Sequence, residues 1–312
     1  MNARSRILGG LYGSLVGDAL GVPVEFSSRE ALRSDPVRGM REGGTHGQPK
    51  GTWSDDGALL LCTVESLVEK GFDTQDMGER FVRWSERGHW SAHGVVFDIG
   101  RTTRAALERI SLGVPAEEAG GRDEYDNGNG SLMRILPVGL ACMDLEIFAC
   151  AKRLRRASAV THAHLRSQLA CVYLGLLAQC LMKDAPREIA VQAGRAVFGM
   201  VTENSPEYFD YCVLLPFESG RMPESAIRSG GYVMETLQAA VWCLLTTRSF
   251  EECVLKAVNL GDDTDTTGCV AGGLAGVHYG LEAIPDEWCA VLPRQEELRG
   301  LFDRFVERAV KA

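Results

Sequence analysis

The chain has 312 residues, 45% of them hydrophobic, which is enough to bury a sizeable core in one large domain or two. A net charge of −9 and a pI near 5.3, with no basic stripe, exclude an electrostatic nucleic-acid footprint, because neutralising phosphates requires clustered Lys and Arg. Ten cysteines at irregular spacings, without a C-x-x-C pair, read as reduced core residues of a cytoplasmic protein. No sustained apolar run precedes a small-residue cleavage site, and Asp18 interrupts the most apolar N-terminal stretch, so neither a signal peptide nor a membrane span is expected.

The first predicted helix covers Ile7 to Leu20, where Gly9, Gly13, Gly17 and Gly21 recur every four residues. That period makes a smooth helix face on which another backbone can come close. Pro23 stops this helix and leaves Glu25 in a loop, where it reads as an ordinary exposed carboxylate unless other acids join it. Residues 34 to 53, rich in Gly, Pro, Thr and Ser, predict a long loop of a length that is more often functional than idle. Ser54-Asp55-Asp56 then opens an apolar helix from Ala58 to Val68. It reads either as a capping Ser with first-turn acids or as half of a cation site. Three consecutive residues cannot share one helix face, so joint ligation would require an irregular first turn.

Residues 73 to 87 predict an amphipathic helix, and the segment starting at Asp98-Ile99-Gly100 opens another, with Asp98 in the position of an N-cap. A polar loop leads to Asn127-Gly128-Asn129-Gly130-Ser131, which has the first glycines of a dinucleotide fingerprint but neither the preceding strand nor the third glycine. A turn offering backbone N–H groups to a phosphate remains open. From Ile135 to Val201 the pattern is helical, with a break at Thr161-His162-Ala163-His164. Further helices are predicted near 231–247, 249–260, 266–281 and 294–310. Strand-like alternation is nearly absent, so the predicted fold is all-α, one compact multi-helix bundle spanning residues 1–312.

Between two of those helices stands Gly261-Asp262-Asp263-Thr264-Asp265-Thr266-Thr267-Gly268, three carboxylates and three hydroxyls between two glycines. Oxygen-only clusters suit hard cations such as Mg²⁺, Mn²⁺ or Ca²⁺. Asp and Thr before an apolar run also describe a helix N-cap with acids at the positive end of its dipole.

Together, Gly17-Asp18-Ala19-Leu20-Gly21 with Glu25-Phe26, Ser54-Asp55-Asp56, Asp98-Ile99-Gly100, Asn129-Gly130-Ser131 with Met133-Arg134, Thr161-His162, and Gly261 to Gly268 resemble the ADP-ribosylglycohydrolase family in order and approximate spacing. The resemblance covers nearly the whole chain and implies an orthogonal all-helical bundle. It also implies a centre of two Mg²⁺ or Mn²⁺ ions held by Ser54, Asp55, Asp56, Asp263, Asp265 and Thr266. It makes Asp98 the catalytic acid, puts Glu25 beside the metals, and gives the diphosphate to the turn of Asn129, Gly130 and Ser131 with Met133. His162 would reach a ribose, and Tyr232 would stack on the ligand.

Two positions depart from the family pattern. Gly57 stands where Thr or Ser commonly follows the Asp pair, and Arg101 stands where arginine-directed members tend to have Asn. The implied activity is removal of ADP-ribose from a modified side chain, most often arginine, with free ADP-ribose as product and an ADP-ribosylated protein or small ADP-ribosyl compound as substrate. An O-linked substrate such as ADP-ribosylserine or an ADP-ribose ester is the second reading. A catalytically silent ADP-ribose-binding module is the third.

Overall fold

A computed structural model describes residues 2–202, 205 and 219–311. In chain order its α-helices are α1 (Ala3–Gly21), α2 (Arg29–Ser34), α3 (Asp55–Glu69), α4 (Thr74–Arg87), α5 (Arg101–Ser111), α6 (Ala116–Ala119), α7 (Leu136–Ala141), α8 (Ile147–Ala159), α9 (Leu165–Leu181), α10 (Arg187–Thr202), α11 (Val233–Thr246), α12 (Phe250–Val258), α13 (Thr264–Tyr279), α14 (Asp286–Ala290) and α15 (Gln295–Lys311). Among the described residues there is no strand, only isolated bridges at Gly43–Gln48, Gly121–His162 and Gly128–Tyr232. The all-α expectation therefore holds. The stretch from 135 to 201, however, breaks three times rather than once, at 142–146, 160–164 and 182–186.

α1 starts where the Asn2 side-chain oxygen accepts the Ser5 amide at 2.7 Å, and it ends at Gly21 before the 3₁₀ turn Val22–Val24 that contains Pro23, whose ring cannot continue the ladder. It is buried along nearly its whole length because α13 lies antiparallel against it with almost no side chains between. A Cβ added at Gly9, Gly13 or Gly17 would lie 2.3, 2.3 or 2.0 Å from the carbonyl oxygens of Gly276, Gly272 and Gly268 respectively. These two helices form the axis of the molecule. α11 and α12 pack on α13; α3 and α15 pack on α1; α9 joins α7, α8 and α10 in a flanking layer. By length and composition Ala3–Val24 could cross a membrane, but 94% of its most apolar window is covered by the other helices. The amphipathic α4 and α5 cover the outside, with Met77, Phe81 and Trp84 of α4 turned inward.

Of the nine described cysteines, all are unpaired; eight are buried and Cys289 is partly so. Cys212 lies outside the described residues.

Because the clash at Gly17 is with backbone rather than with a flexible side chain, Gly17→Ala should cost at least the upper end of ordinary overpacking, about 3 kcal/mol. Gly39→Ala, whose added Cβ would meet only Trp288 Nε1 at 3.6 Å, should stay within about 0.5 kcal/mol. Urea unfolding of the two variants measures the difference, and a wild-type midpoint for Gly17→Ala would show that the helices do not pack this closely.

Candidate active site

Three helix ends meet beside the α1–α13 seam. From α1 comes Asp18, fully buried, whose carboxylate accepts the Ser54 amide at 3.0 and 3.1 Å and the Gly57 amide at 2.8 Å. It thereby holds the first turn of α3. That grip accounts for Gly57, since a Cβ there would lie 2.9 Å from Asp18 Oδ2 and 2.7 Å from Trp53 Cβ. α3 begins as a regular helix, and its first residues diverge as helical geometry requires. Ser54 caps it, with its Oγ accepting the Asp56 amide at 3.2 Å, Asp55 faces a cleft, and Asp56 turns inward.

Asp263 caps α13 through the Thr266 amide at 3.3 Å. Asp265 Oδ1 accepts the same amide at 2.8 Å, and the Thr266 hydroxyl donates to Asp56 Oδ1 at 3.2 Å. The second oxygens of Asp56 and Asp265 are buried without any partner. Carboxylate oxygens of Asp18, Asp56 and Asp265 lie within 4.8 Å of one another, as do those of Glu25, Asp263 and Asp265. Both the capping and the clustering readings of these segments therefore hold at once.

The cleft itself, about 350 Å³, is lined by Glu25, Asp55, Asp98, Asn129, His162 and Asp263 among others. Asn129 Nδ2 donates to Asp263 Oδ2 at 2.8 Å and to Thr236 Oγ1 at 2.9 Å, tying the Asn-Gly turn to the α13 cap. Gly130, Met133 and Thr266 also line the cleft. Ser131 does so only through its neighbours: its side chain is fully buried behind the turn and bonds Ser158 Oγ at 2.9 Å. Tyr232 is the N-cap residue of α11 and bridges to Gly128 through its backbone, and its half-buried ring packs on the core rather than lining the cleft. A larger groove of about 760 Å³ runs along α8, α9 and α10 and holds one acid, Glu117.

Asp98 is not an N-cap. α5 begins at Arg101 with Gly100 in the cap position and no side-chain bond, while Asp98 sits upstream with φ at 56°, a left-handed conformation uncommon outside glycine. Its carboxyl meets those of Glu25 and Asp265. Arg101 lines the same cleft, with Nη2 donating to the Tyr125 carbonyl at 2.9 Å.

Two members of the cluster escaped the residue-by-residue sequence reading. Asp18 interrupts an apolar helix, the signal a buried functional acid leaves, and stands in the Gly17–Gly21 stretch of the family resemblance, which by itself assigns it no role. His46 left no signal at all. It reaches the site because the Gly44–His46 turn lies on the 3₁₀ turn Val22–Val24, with Thr45 Oγ1 donating to the Glu25 carbonyl at 2.6 Å. Its Nε2 pairs with Glu25 Oε2, and Glu25, His46 and Asp98 form a third close group.

So many acids in so little space resist ionisation. Burial first, and then the charges of Asp98 and Asp263, push Glu25 up to about 9. Burial pushes Asp18 up to about 7 against the pull of its amide donors. Asp55, Asp56 and Asp265 are held well above the usual range by burial and by one another. Asp98 is also raised, chiefly by burial, with His46 opposing. His162 is pushed the other way, down to about 3, by burial and then Arg134. An all-oxygen donor set with orphaned carboxylate oxygens can hold hard divalent cations, whose charge removes this conflict.

An all-helical protein with a carboxylate-lined cleft at converging helix ends is the class that this fold and site define. The chain belongs to the ADP-ribosylglycohydrolase family, whose profile matches residues 1–312. It is 34% identical over 309 residues to the ADP-ribosylarginine hydrolase Tri1 of Serratia proteamaculans, covering 95% of this chain and 78% of that one. To the ADP-ribosyl-[dinitrogen reductase] glycohydrolase of Rhodospirillum rubrum it is 29% identical, covering 95% and 93%. A solved structure described as an ADP-ribosylglycohydrolase-related protein complex superposes with a TM-score of 0.82 at 34% identity, covering 98% of this chain and 99% of that one.

The raised acids fix a sign for stability. Above pH about 4, where the unfolded carboxyls ionise, the folded state still holds protons that the unfolded chain has released, so stability falls as pH rises. The fall should run up to about 7 for Asp18 and about 9 for Glu25. In EDTA the melting temperature should therefore decline from pH 5.5 to 8.5, and millimolar Mg²⁺ or Mn²⁺ should restore it, most strongly at the alkaline end. Asp55→Ala and Asp265→Ala should each abolish the restoration. A melting temperature that rises with pH in EDTA would refute the crowded-acid picture.

Proposed function

We propose that this enzyme hydrolyses the N-glycosidic bond between ADP-ribose and a modified arginine side chain, using two Mg²⁺ or Mn²⁺ ions, in a reducing cytoplasmic compartment. The observation that carries the reading is the convergence of two acidic segments over two hundred residues apart on one cleft, with unpartnered oxygens on Asp56 and Asp265. The arginine-directed names of the Tri1 proteins of Serratia proteamaculans and Pseudomonas putida, the latter 31% identical, support the choice of substrate.

Ser54, Asp55, Asp56, Asp263, Asp265 and Thr266 would hold the cations; no irregular turn is needed, because Ser54 precedes the helix as its extended cap and keeps a lone pair beyond the one its cap uses, while Asp55 would bind from the cleft side and Asp56 from within. When bound, such ions supply positive charge that lowers the pKa of a nearby water and clamps substrate oxygens. The chain's own residues do the rest. Asp98 and Glu25 adjoin, and burial raises both above the ordinary carboxyl range, which favours a proton shared within this pair. Asp98 gives a proton to the leaving atom as the bond to the anomeric carbon breaks, and Glu25 orients the water whose oxygen takes its place and whose released proton returns to the Asp98–Glu25 pair. His46 holds Glu25 in that position. The turn of Asn129, Gly130 and Met133, fixed to Asp263, carries the diphosphate and ribose.

Arg101 favours a second substrate. A fixed guanidinium at the cleft disfavours a positively charged leaving group and tolerates an O-linked one, such as ADP-ribosylserine.

Purified enzyme with Mg²⁺ should release free ADP-ribose from an ADP-ribosylarginine peptide, and EDTA should stop it. Release only from an ADP-ribosylserine peptide would transfer the reading to O-linked substrates. Asp98→Asn should keep folding and ADP-ribose affinity while lowering turnover about a hundredfold to ten-thousandfold; full activity would move the proton donor elsewhere. Arg101→Asn should raise the rate on ADP-ribosylarginine relative to the O-linked peptide, and an unchanged ratio would dismiss the charge argument.

A further inference from the structure

Behind the Asn-Gly turn lies a buried cation with no acid to neutralise it. Arg134 is fully buried, its guanidinium stacks 4.5 Å from the centre of the Phe81 ring, and its Nε and Nη1 have no hydrogen-bond partner. No carboxylate pairs with it among the described residues. Its Nη2 donates to the Ala157 carbonyl at 3.2 Å and to the Thr161 hydroxyl at 2.8 Å. The Thr161 oxygen lies 2.9 Å from His162 Nδ1, and His162 lines the cleft.

This chain of contacts has one direction. A guanidinium only donates, so Thr161 Oγ1 must accept from Arg134, and its own hydrogen has to go elsewhere. Thr161 is fully buried, and among the described residues the one other hydrogen-bond partner of its Oγ1 is His162 Nδ1. With the opposite tautomer, Nδ1–H and the Thr161 hydroxyl would face each other as donors, or the hydroxyl hydrogen would be buried without a partner, at the penalty such orphans carry. The other ring nitrogen faces the Gly128–Gly130 turn, where Nε2 lies 3.5 and 3.4 Å from the Cβ positions that those glycines lack.

We propose that Arg134 and Thr161 are positioning residues that lock His162 as the neutral Nε2–H tautomer, making it a fixed hydrogen-bond donor to an oxygen of an anionic ligand in the cleft. The function of the buried charge follows. Among the described residues Thr161 Oγ1 meets Arg134 and His162 alone, and a serine or threonine partner in place of Arg134 could reverse the chain by accepting from it. The unneutralised guanidinium also sets a positive field beneath the turn assigned above to the diphosphate. The ligand assignment rests on the proposed ADP-ribose chemistry, whereas the tautomer does not.

Nitrogen-15 NMR of the imidazole-labelled protein measures the tautomer directly, and calorimetry with ADP-ribose measures its use. The wild type should show Nε2 protonated and Nδ1 bare between pH 6 and 8. Thr161→Val, which keeps the shape and removes the hydroxyl, should give a mixed tautomer population and bind ADP-ribose about three- to tenfold more weakly. Thr161→Ser should restore both. A protonated Nδ1 in the wild type, or a Thr161→Val protein with wild-type tautomer and affinity, would overturn the proposal. If the wild type failed to bind ADP-ribose at all, the proposed function would fall while the tautomer measurement still decided the relay.

Discussion

Everything at the site depends on two backbones touching. α1 and α13 run antiparallel with glycine facing glycine through three successive turns, so the helices approach far more closely than helices separated by side chains. That spacing places Asp18, near the end of one, beside Asp265, at the start of the other. Residues at the seam ends have no lateral freedom: at Gly21, an added Cβ would lie 2.4 Å from the Asp265 amide nitrogen and Cα. The rigid pair then acts as the wall against which α3 delivers its own acids.

The cost of that convergence is electrostatic, and the fold spreads it across several devices. Asp55 and Asp56 lie in the first turn of α3, while Asp263 and Asp265 lie at the start of α13, so all four acids stand at the positive ends of helix dipoles. Asp18 uses backbone amides of α3 as its counter-charge, and Asp263 uses Asn129 and Thr266. What these donors leave over are the bare oxygens of Asp56 and Asp265. A hard cation can bind there, because Asp56 and Asp265 each keep one buried oxygen that no neighbouring donor takes. The substrate side of the cleft has the opposite polarity, with a buried guanidinium and a neutral imidazole behind the turn. A ligand carrying both phosphates and a ribose can lie along that gradient.

The family pattern and this chain's departures from it also become physical statements. Gly57 is required by the carboxylate of Asp18 and the ring of Trp53, so its loss of a hydroxyl reflects packing, not a damaged ligand set. Ser131, placed in the phosphate turn by resemblance, instead ties that turn from behind to Ser158, whose hydroxyl also meets the His162 carbonyl at 2.9 Å.

Local chemistry was legible in the amino-acid order alone. Apolar period, caps and breakers located most helices to within a few residues, because those signals act over one or two turns. The four-residue glycine repeat announced a close helix contact, and the two Asp-rich knots announced charge that needed company. Partnership was not legible. No local signal says that Gly17 faces Gly268, that a histidine from a glycine-rich loop reaches Glu25, or that Asp98 leaves the cap position to a glycine and turns its carboxyl inward. Nor does it say that Met133-Arg134 points a guanidinium away from solvent toward Thr161. Those outcomes belong to the tertiary structure, because burial and the distance between groups far apart in the chain decide which donors and charges must satisfy one another, and neither quantity exists until the helices have packed.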